Sequence, residues 1–221
     1  TAKFNGLLEE IKSPACTATI GILHQAKSRL LDVWRRLDTR ITEEANEAKD
    51  NVKYLYTLDK FCEPLYKFSP VEIIDAIPGL INAIRMIHSI SRYYNTSERM
   101  TALFVKVTNQ MITSSKKYLY EKDSRIWEQS KADVTNRMAH VRELNKQYQL
   151  HFHKEKAKLQ ENPAGNQFDF SEMSIFGKFD SFCRRTEKVS TMVHVFLSLP
   201  PLFCWLRAYL ILYLAISSLV M

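Results

Sequence analysis

Ser69-Pro70-Val71-Glu72-Ile73-Ile74-Asp75-Ala76-Ile77-Pro78-Gly79-Leu80-Ile81-Asn82-Ala83-Ile84-Arg85-Met86-Ile87-His88-Ser89-Ile90 is the stretch that decides the fold class. A hydroxyl residue followed by proline opens a helix. The side-chain oxygen takes an orphan backbone N–H, and proline lacks the N–H that the first turn cannot use. Glu72 in the first turn is favoured by the positive end of the helix dipole. Ile73, Ile74, Ile77, Ile81, Ile84, Ile87 and Ile90 then form a dense apolar face at mostly three- and four-residue steps. Pro78-Gly79 falls inside this run and predicts a break or sharp kink near Ile77.

Working outward, the same start signal recurs upstream at Ser13-Pro14, which predicts the opening of a first long helix. Leu23, Leu30, Trp34, Leu37, Ile41, Ala45, Ala48, Val52 and Leu55 follow as one stripe whose spacing approaches a heptad, suiting a bundle or a coiled coil. Cys62-Glu63-Pro64 is expected to end or kink that helix. Downstream, Asn95-Thr96-Ser97-Glu98 reads as a stop and restart, with Asn95 or Thr96 as the cap. The next segment should bury Met100, Leu103 or Phe104, Val107 and Met111. A further helix is expected from about Ser124 to Gln160, on Ile126, Val134, Met138, Val141, Leu144 or Asn145, Tyr148 and Phe152. Asn162-Pro163-Ala164-Gly165-Asn166 predicts a loop, and Ser171-Glu172 starts a helix on Met173, Phe176, Phe179 and Phe182. Nothing alternates with period two for long. The expectation is an all-α fold, an elongated antiparallel bundle or array of long helices.

Composition agrees. Five glycines and seven prolines in 221 residues, with 25% charged, favour helices. The first residue is Thr1, so the chain reads as an internal fragment or an incomplete gene product. Cys16, Cys62, Cys183 and Cys204 are scattered, without metal or disulfide spacing, and fit a reducing intracellular compartment. The formal charge of +7 is spread among interleaved acids and bases. The densest basic run, Lys154, Lys156 and Lys158, is interrupted by Glu155 and has no aromatic platform, so nucleic acid is not expected as a partner.

Catalytic chemistry finds no footing. Gly6, Gly21, Gly79, Gly165 and Gly177 never take the spacing of a phosphate-cradling loop. His151 and His153 point to different sides of a helix, and the adjacent pairs Glu9-Glu10 and Glu43-Glu44 diverge. No catalytic, cofactor-binding or metal-ligating residue is assigned, and no cofactor is expected.

The composition changes after Val189. From Ser190 to Met221 the single charged residue is Arg207, and Leu202 to Met221 is a nearly continuous apolar run. The chain is therefore divided at 1–189, a helical segment, and 190–221, a divergent hydrophobic tail with a C-terminal apolar helix. Three origins compete for the tail. One is a transmembrane helix, with Arg184, Arg185 and Lys188 holding the upstream side in the cytoplasm. Another is a buried core helix, and the third, favoured here, is translated intron or alternative-exon sequence. Any membrane contact would run through Leu202–Met221.

Four strings carry a resemblance. The longest is Ile84-Arg85-Met86-Ile87-His88-Ser89-Ile90-Ser91-Arg92-Tyr93-Tyr94-Asn95-Thr96-Ser97-Glu98-Arg99-Met100, running on through Leu103-Phe104-Val105-Lys106-Val107 to Thr113. The others are Gln167-Phe168-Asp169-Phe170-Ser171-Glu172-Met173-Ser174-Ile175-Phe176-Gly177-Lys178-Phe179, Thr57-Leu58-Asp59-Lys60-Phe61, and Ile73 to Leu80. Together they span roughly Gly21 to Val189. They resemble the N-terminal stem of axonemal dynein heavy chains, the outer-arm type most closely. The resemblance implies a structural segment of a minus-end-directed microtubule motor that drives ciliary movement. It implies heavy-chain association and intermediate-chain docking, with other dynein heavy chains and the intermediate and light intermediate chains as partners. It also implies a place in the cytoskeleton of the ciliary axoneme, with ATPase activity elsewhere in the parent chain. The tail departs from the stem pattern, and the alternative is a single-span membrane protein with a stem-derived helical domain. Within the longest string, Arg92-Tyr93-Tyr94 and Glu98-Arg99 read either as a contact surface for another chain or as the packing of a helix end.

Overall fold

Seven helices make up the regular structure in the computed structural model, which describes residues 2–120, 130–160 and 168–197. They are α1 (Ala2–Ile11), α2 (Pro14–Gln25), α3 (Leu30–Lys67), α4 (Pro70–Ile90), α5 (Ser97–Leu119), α6 (Lys131–Gln160) and α7 (Glu172–Leu197). No strand occurs among the described residues, so the fold is all-α. The expected loop at Asn162–Asn166, Ile126, the start at Ser124 and the apolar run Leu202–Met221 lie outside the described residues.

Ser13 caps α2 as expected, its Oγ accepting from the Cys16 N–H at 3.3 Å with Pro14 in the first turn. The helix it opens is short, however, and the single long helix expected from Ser13 is two. Lys27 adopts a φ of 45°, the left-handed region. Around it the Ser28 N–H donates to Leu23 O at 3.1 Å and the Lys27 N–H to His24 O at 3.2 Å. This is the paired closure that ends helices, normally built on glycine. Ser28 then turns its Oγ to the Leu30 N–H at 3.3 Å and starts α3. Because a side chain in this conformation is strained, Lys27→Gly is expected to stabilise the chain by about 1 kcal/mol. An unchanged midpoint in urea denaturation would show that Lys27 is not held left-handed.

Both prolines expected to break or kink helices sit inside continuous ones, so neither ends its helix. Pro64 lies within α3 and Pro78 within α4. Each removes one backbone hydrogen bond, but buried side chains flank both: Leu65 after Pro64, and Ile77, Leu80 and Ile81 around Pro78. At the start of α4 the Ser69 N–H and Oγ–H both donate to Glu72 Oε2, at 2.9 and 2.7 Å. Glu72 thus reaches back to the cap residue, and these hydrogen bonds hold its carboxyl below the usual range. By length and composition α4 is also apolar enough to cross a bilayer. Its Ile73, Ile77, Ile81, Ile84 and Ile87 are buried within the protein, the mark of a core helix, while Ile90 at its end is exposed.

The stripe on α3 is corrected in register. Leu37 and Val52 are about half exposed, at 47% and 53%, whereas Ala45, Asn51, Leu58 and Leu65 are buried. At 100° per residue Val52 lies about 120° around the helix from Leu58, while Asn51 lies within about 20° of it. The buried face rotates along α3, which a count of apolar steps cannot register. Met173 on α7 is displaced in the same way: it is 82% exposed, and Ile175, Phe176, Phe179 and Phe182 form the face instead. Elsewhere the alternatives resolve. Phe104 is buried on α5, and Leu144 and Asn145 are both buried on α6.

The chain clusters into two units. The first comprises, of the described residues, 2–63, 79–102, 155–160 and 168–170. Here α3 and α4 run antiparallel: Glu47 meets Tyr93, Asn51 meets Ser91, and a Cβ on Gly79 would sit 3.5 Å from the Phe61 ring. His88 lies edge-on to Phe168 and Phe170, both at 5.5 Å, and this burial lowers its pKa and keeps it neutral. Arg85 pairs with Glu155 at 3.4 Å, and Lys156 with Asp169 at 2.9 Å.

The second unit comprises, of the described residues, 64–78, 103–120, 130–154 and 171–197. Its centre is a three-helix bundle of α5, α6 and α7. Phe104 faces Phe152 at 5.2 Å, Thr108 Oγ1 donates to Tyr148 Oη at 3.3 Å, and Tyr118 Oη meets His140 Nδ1 at 2.9 Å. One partner's number rises as the other falls, so α5 and α6 are antiparallel. The same holds for α6 and α7, through Tyr148–Phe176 at 5.3 Å and Arg142–Glu187 at 3.1 Å.

Candidate interaction surfaces

Among the described residues no group of three or more His, Cys, Asp or Glu side chains converges to hold a metal ion. Burial pushes the Cys62 thiol up to about 11 and the Cys183 thiol to about 12. Both therefore favour the protonated thiol, the less reactive form, at neutral pH.

The most distinctive polar cluster of the sequence forms the corner between α4 and α5. Ser91, the first residue past α4, donates its hydroxyl hydrogen to Asn51 Oδ1 at 2.5 Å and accepts the Tyr94 N–H at 3.0 Å. Glu47, one turn before Asn51, takes the Asn51 Nδ2–H at 3.2 Å and the Tyr93 N–H at 3.0 Å on its Oε1. Arg99 folds back over the Tyr93 ring, its guanidinium carbon 3.8 Å from the centroid and Nη1 donating to Tyr93 O at 3.1 Å. The corner is thus fastened to α3 by side chains rather than by apolar burial. Arg92 and much of Tyr93 remain in solvent, while Tyr94 is half-buried and its phenol is pushed up by that burial. The turn packs internally, as the helix-end reading of the cluster has it, and its outer rim stays exposed to solvent. Glu47 and Asn51 give no sign of their role in the sequence, because no local pattern links them to residues some forty positions away.

A second surface lies at the start of the chain. Neither α1 nor α2 buries a residue. On the first turns of α3, Leu30, Val33 and Leu37 are 59%, 54% and 47% exposed, spaced three and four apart on one side of the helix. Charged neighbours flank them, among them Arg35, Arg36 and Arg40. This is an amphipathic helix whose apolar side at Leu30, Val33 and Leu37 stays about half exposed.

The chain matches the family described as dynein heavy chain, N-terminal region 1, over residues 1–203. It is 54% identical to mouse dynein axonemal heavy chain 5 over 196 residues, 88% of this chain and 4% of that protein. It is 51% identical to human dynein axonemal heavy chain 8 over the same length and shares. To the dynein gamma chain of the flagellar outer arm of Chlamydomonas reinhardtii it is 39% identical over 201 residues, 90% of this chain and 4% of that one. The chain therefore spans only a small part of the length of these relatives.

Proposed function

Because this chain belongs to the dynein heavy-chain family, as its N-terminal region 1, we propose that it is a structural and interaction segment of an axonemal dynein heavy-chain stem. It holds its heavy chain to other heavy chains and offers a docking surface to intermediate and light intermediate chains. The parent motor works on microtubules in the ciliary axoneme, and this segment carries none of its ATPase chemistry.

The observation that carries the reading is the exposed apolar side of α3 at Leu30, Val33 and Leu37. Such a stripe costs free energy in water and gains it back when another helix covers it. Its spacing suits a partner helix laid alongside, as in a bundle or coiled coil. The test is Leu30→Asp with Leu37→Asp in the heavy chain of ciliated cells, followed by co-precipitation. Loss of the accompanying heavy and intermediate chains, with unchanged helix content of the 221-residue chain, is the expected result. Undiminished co-precipitation would remove the α3 face from the proposal.

A further inference from the structure

Helix α7 turns its acids to one face. On α7, each acid is turned towards α6: Glu172 meets His153 at 3.0 Å, Asp180 accepts from Asn145 at 2.7 Å and from Gln149 at 2.9 Å, and Glu187 pairs with Arg142 at 3.1 Å. Of the bases of α7, Lys178 and Arg185 are exposed on the opposite side, while exposed Arg184, four residues after Asp180, and Lys188 lie between. Lys178 reaches α5, its Nζ donating to Asn109 Oδ1 at 3.4 Å, and Arg184 and Arg185 reach only carbonyls of their own helix.

The facing stretch of α5 is one-signed. From Leu103 to Tyr120 there is no Asp or Glu, and Lys106, Lys116 and Lys117 are its charges. Lys116 lies over the Phe182 ring of α7, 6.0 Å from its centroid, which places it on the α5–α7 seam. None of these α5 and α7 cations pairs with a carboxylate among the described residues. Elsewhere in the chain bases alternate with acids, so a uniform face is a local property and not a reflection of net charge.

We infer that the outer α5–α7 face is a docking site for an acidic segment of a protein partner. Charge complementarity selects the occupant. Uncompensated cations on two rigid neighbouring helices raise the potential over one face and steer carboxylates to it. Lys106 and Lys117 are eleven residues apart, roughly 16 Å along a helix, which an acidic segment of about five extended residues or three helical turns would follow. The ring under Lys116, Phe182, is buried and offers no base a stacking surface, whereas Tyr120 beside Lys116 and Lys117 is exposed, so a single-stranded nucleic acid is the competitor the test must exclude. This surface lies on helices other than the α3 stripe, and either assignment can fail without the other.

The experiment titrates a fluorescein-labelled twelve-residue glutamate-rich peptide into the full 221-residue chain and reads anisotropy at low and physiological salt. Saturable binding that weakens with salt is expected. The double variant Lys178→Glu with Arg185→Glu should weaken it roughly tenfold or more. Arg36→Glu with Arg40→Glu, the same change in net charge on α3, should weaken it less than about twofold. Circular dichroism checks folding. If the α7 variant has lost helix, Lys106→Glu with Lys117→Glu on α5 takes its place with the same expected loss. Equal weakening by the α3 and the α7 or α5 reversals, or no binding at all, would overturn the site. Tighter binding of a twelve-nucleotide single-stranded RNA than of the peptide would overturn the assigned partner.

Discussion

Phe152→Ala is expected to destabilise the chain by roughly 3–5 kcal/mol, the range for emptying a buried aromatic site. The ring is fully buried and stands edge-on to Phe104 at 5.2 Å and to Phe176 at 5.1 Å. It is the point where α5, α6 and α7 meet. Removing it withdraws apolar surface from all three helices and also breaks the edge-to-face pairs with Phe104 and Phe176, each worth about 0.5–1.5 kcal/mol beyond area, along with a third such contact to His153. The surrounding side chains cannot collapse freely, because Tyr148 in the next turn is held by its own ring contact and by Thr108. Phe152→Leu retains most of the volume and should cost appreciably less, since only the ring geometry is lost. Urea denaturation of the two variants side by side measures both. A loss below about 1 kcal/mol for the alanine variant would mean that the three helices do not close on this ring.

That convergence is legible in the amino-acid pattern, because Phe152, Tyr148, Val141 and Val134 repeat at helical spacing and Phe176, Phe179 and Phe182 do the same on the next helix. The pattern misleads where the deciding contact is not local. Lys27 ends a helix in a conformation that usually announces itself with glycine, so nothing in Ala26-Lys27-Ser28 signals it. Pro64 and Pro78 carry a local penalty of about 3 kcal/mol in a helix interior, yet neither ends its helix, because the isoleucines and leucines around them are buried and outweigh it. Leu37 and Val52 belong to the interior only on a stripe of constant phase, and α3 turns a different face inward along its length. The surfaces are less legible than the core. Lys178, Arg185 and Lys106 are ordinary residues in a chain full of interleaved charge. They become a face only once the register of α7 sends its acids towards α6 and Lys178 and Arg185 away.

Glu47→Ala is expected to cost about 2 kcal/mol and to loosen the corner between α4 and α5. The Ser91 hydroxyl has one hydrogen, and the 2.5 Å contact to Asn51 Oδ1 claims it over the 3.3 Å approach to Glu47. Glu47 is therefore left with the two donors that have no better acceptor there, the Asn51 amide and the Tyr93 N–H. Asn51 is buried, so without Glu47 its amide loses a charge-assisted hydrogen bond and water cannot readily replace it. Tyr93 is partly exposed, and its N–H can turn to solvent, which keeps the loss below that of two buried bonds. Glu47→Gln retains a carbonyl acceptor at the same place and should recover roughly half of the stability, the neutral bond being about half as strong. The readouts are the denaturation midpoint and amide hydrogen exchange at Tyr93 and Tyr94. Faster exchange at Tyr93 in the alanine variant, with protection retained inside α5, is the expected pattern. Unaltered exchange at Tyr93 would show that the corner is held by the Arg99 contact and not by α3. The rim of Arg92 and Tyr93 would then be an independent surface, free to move with α5.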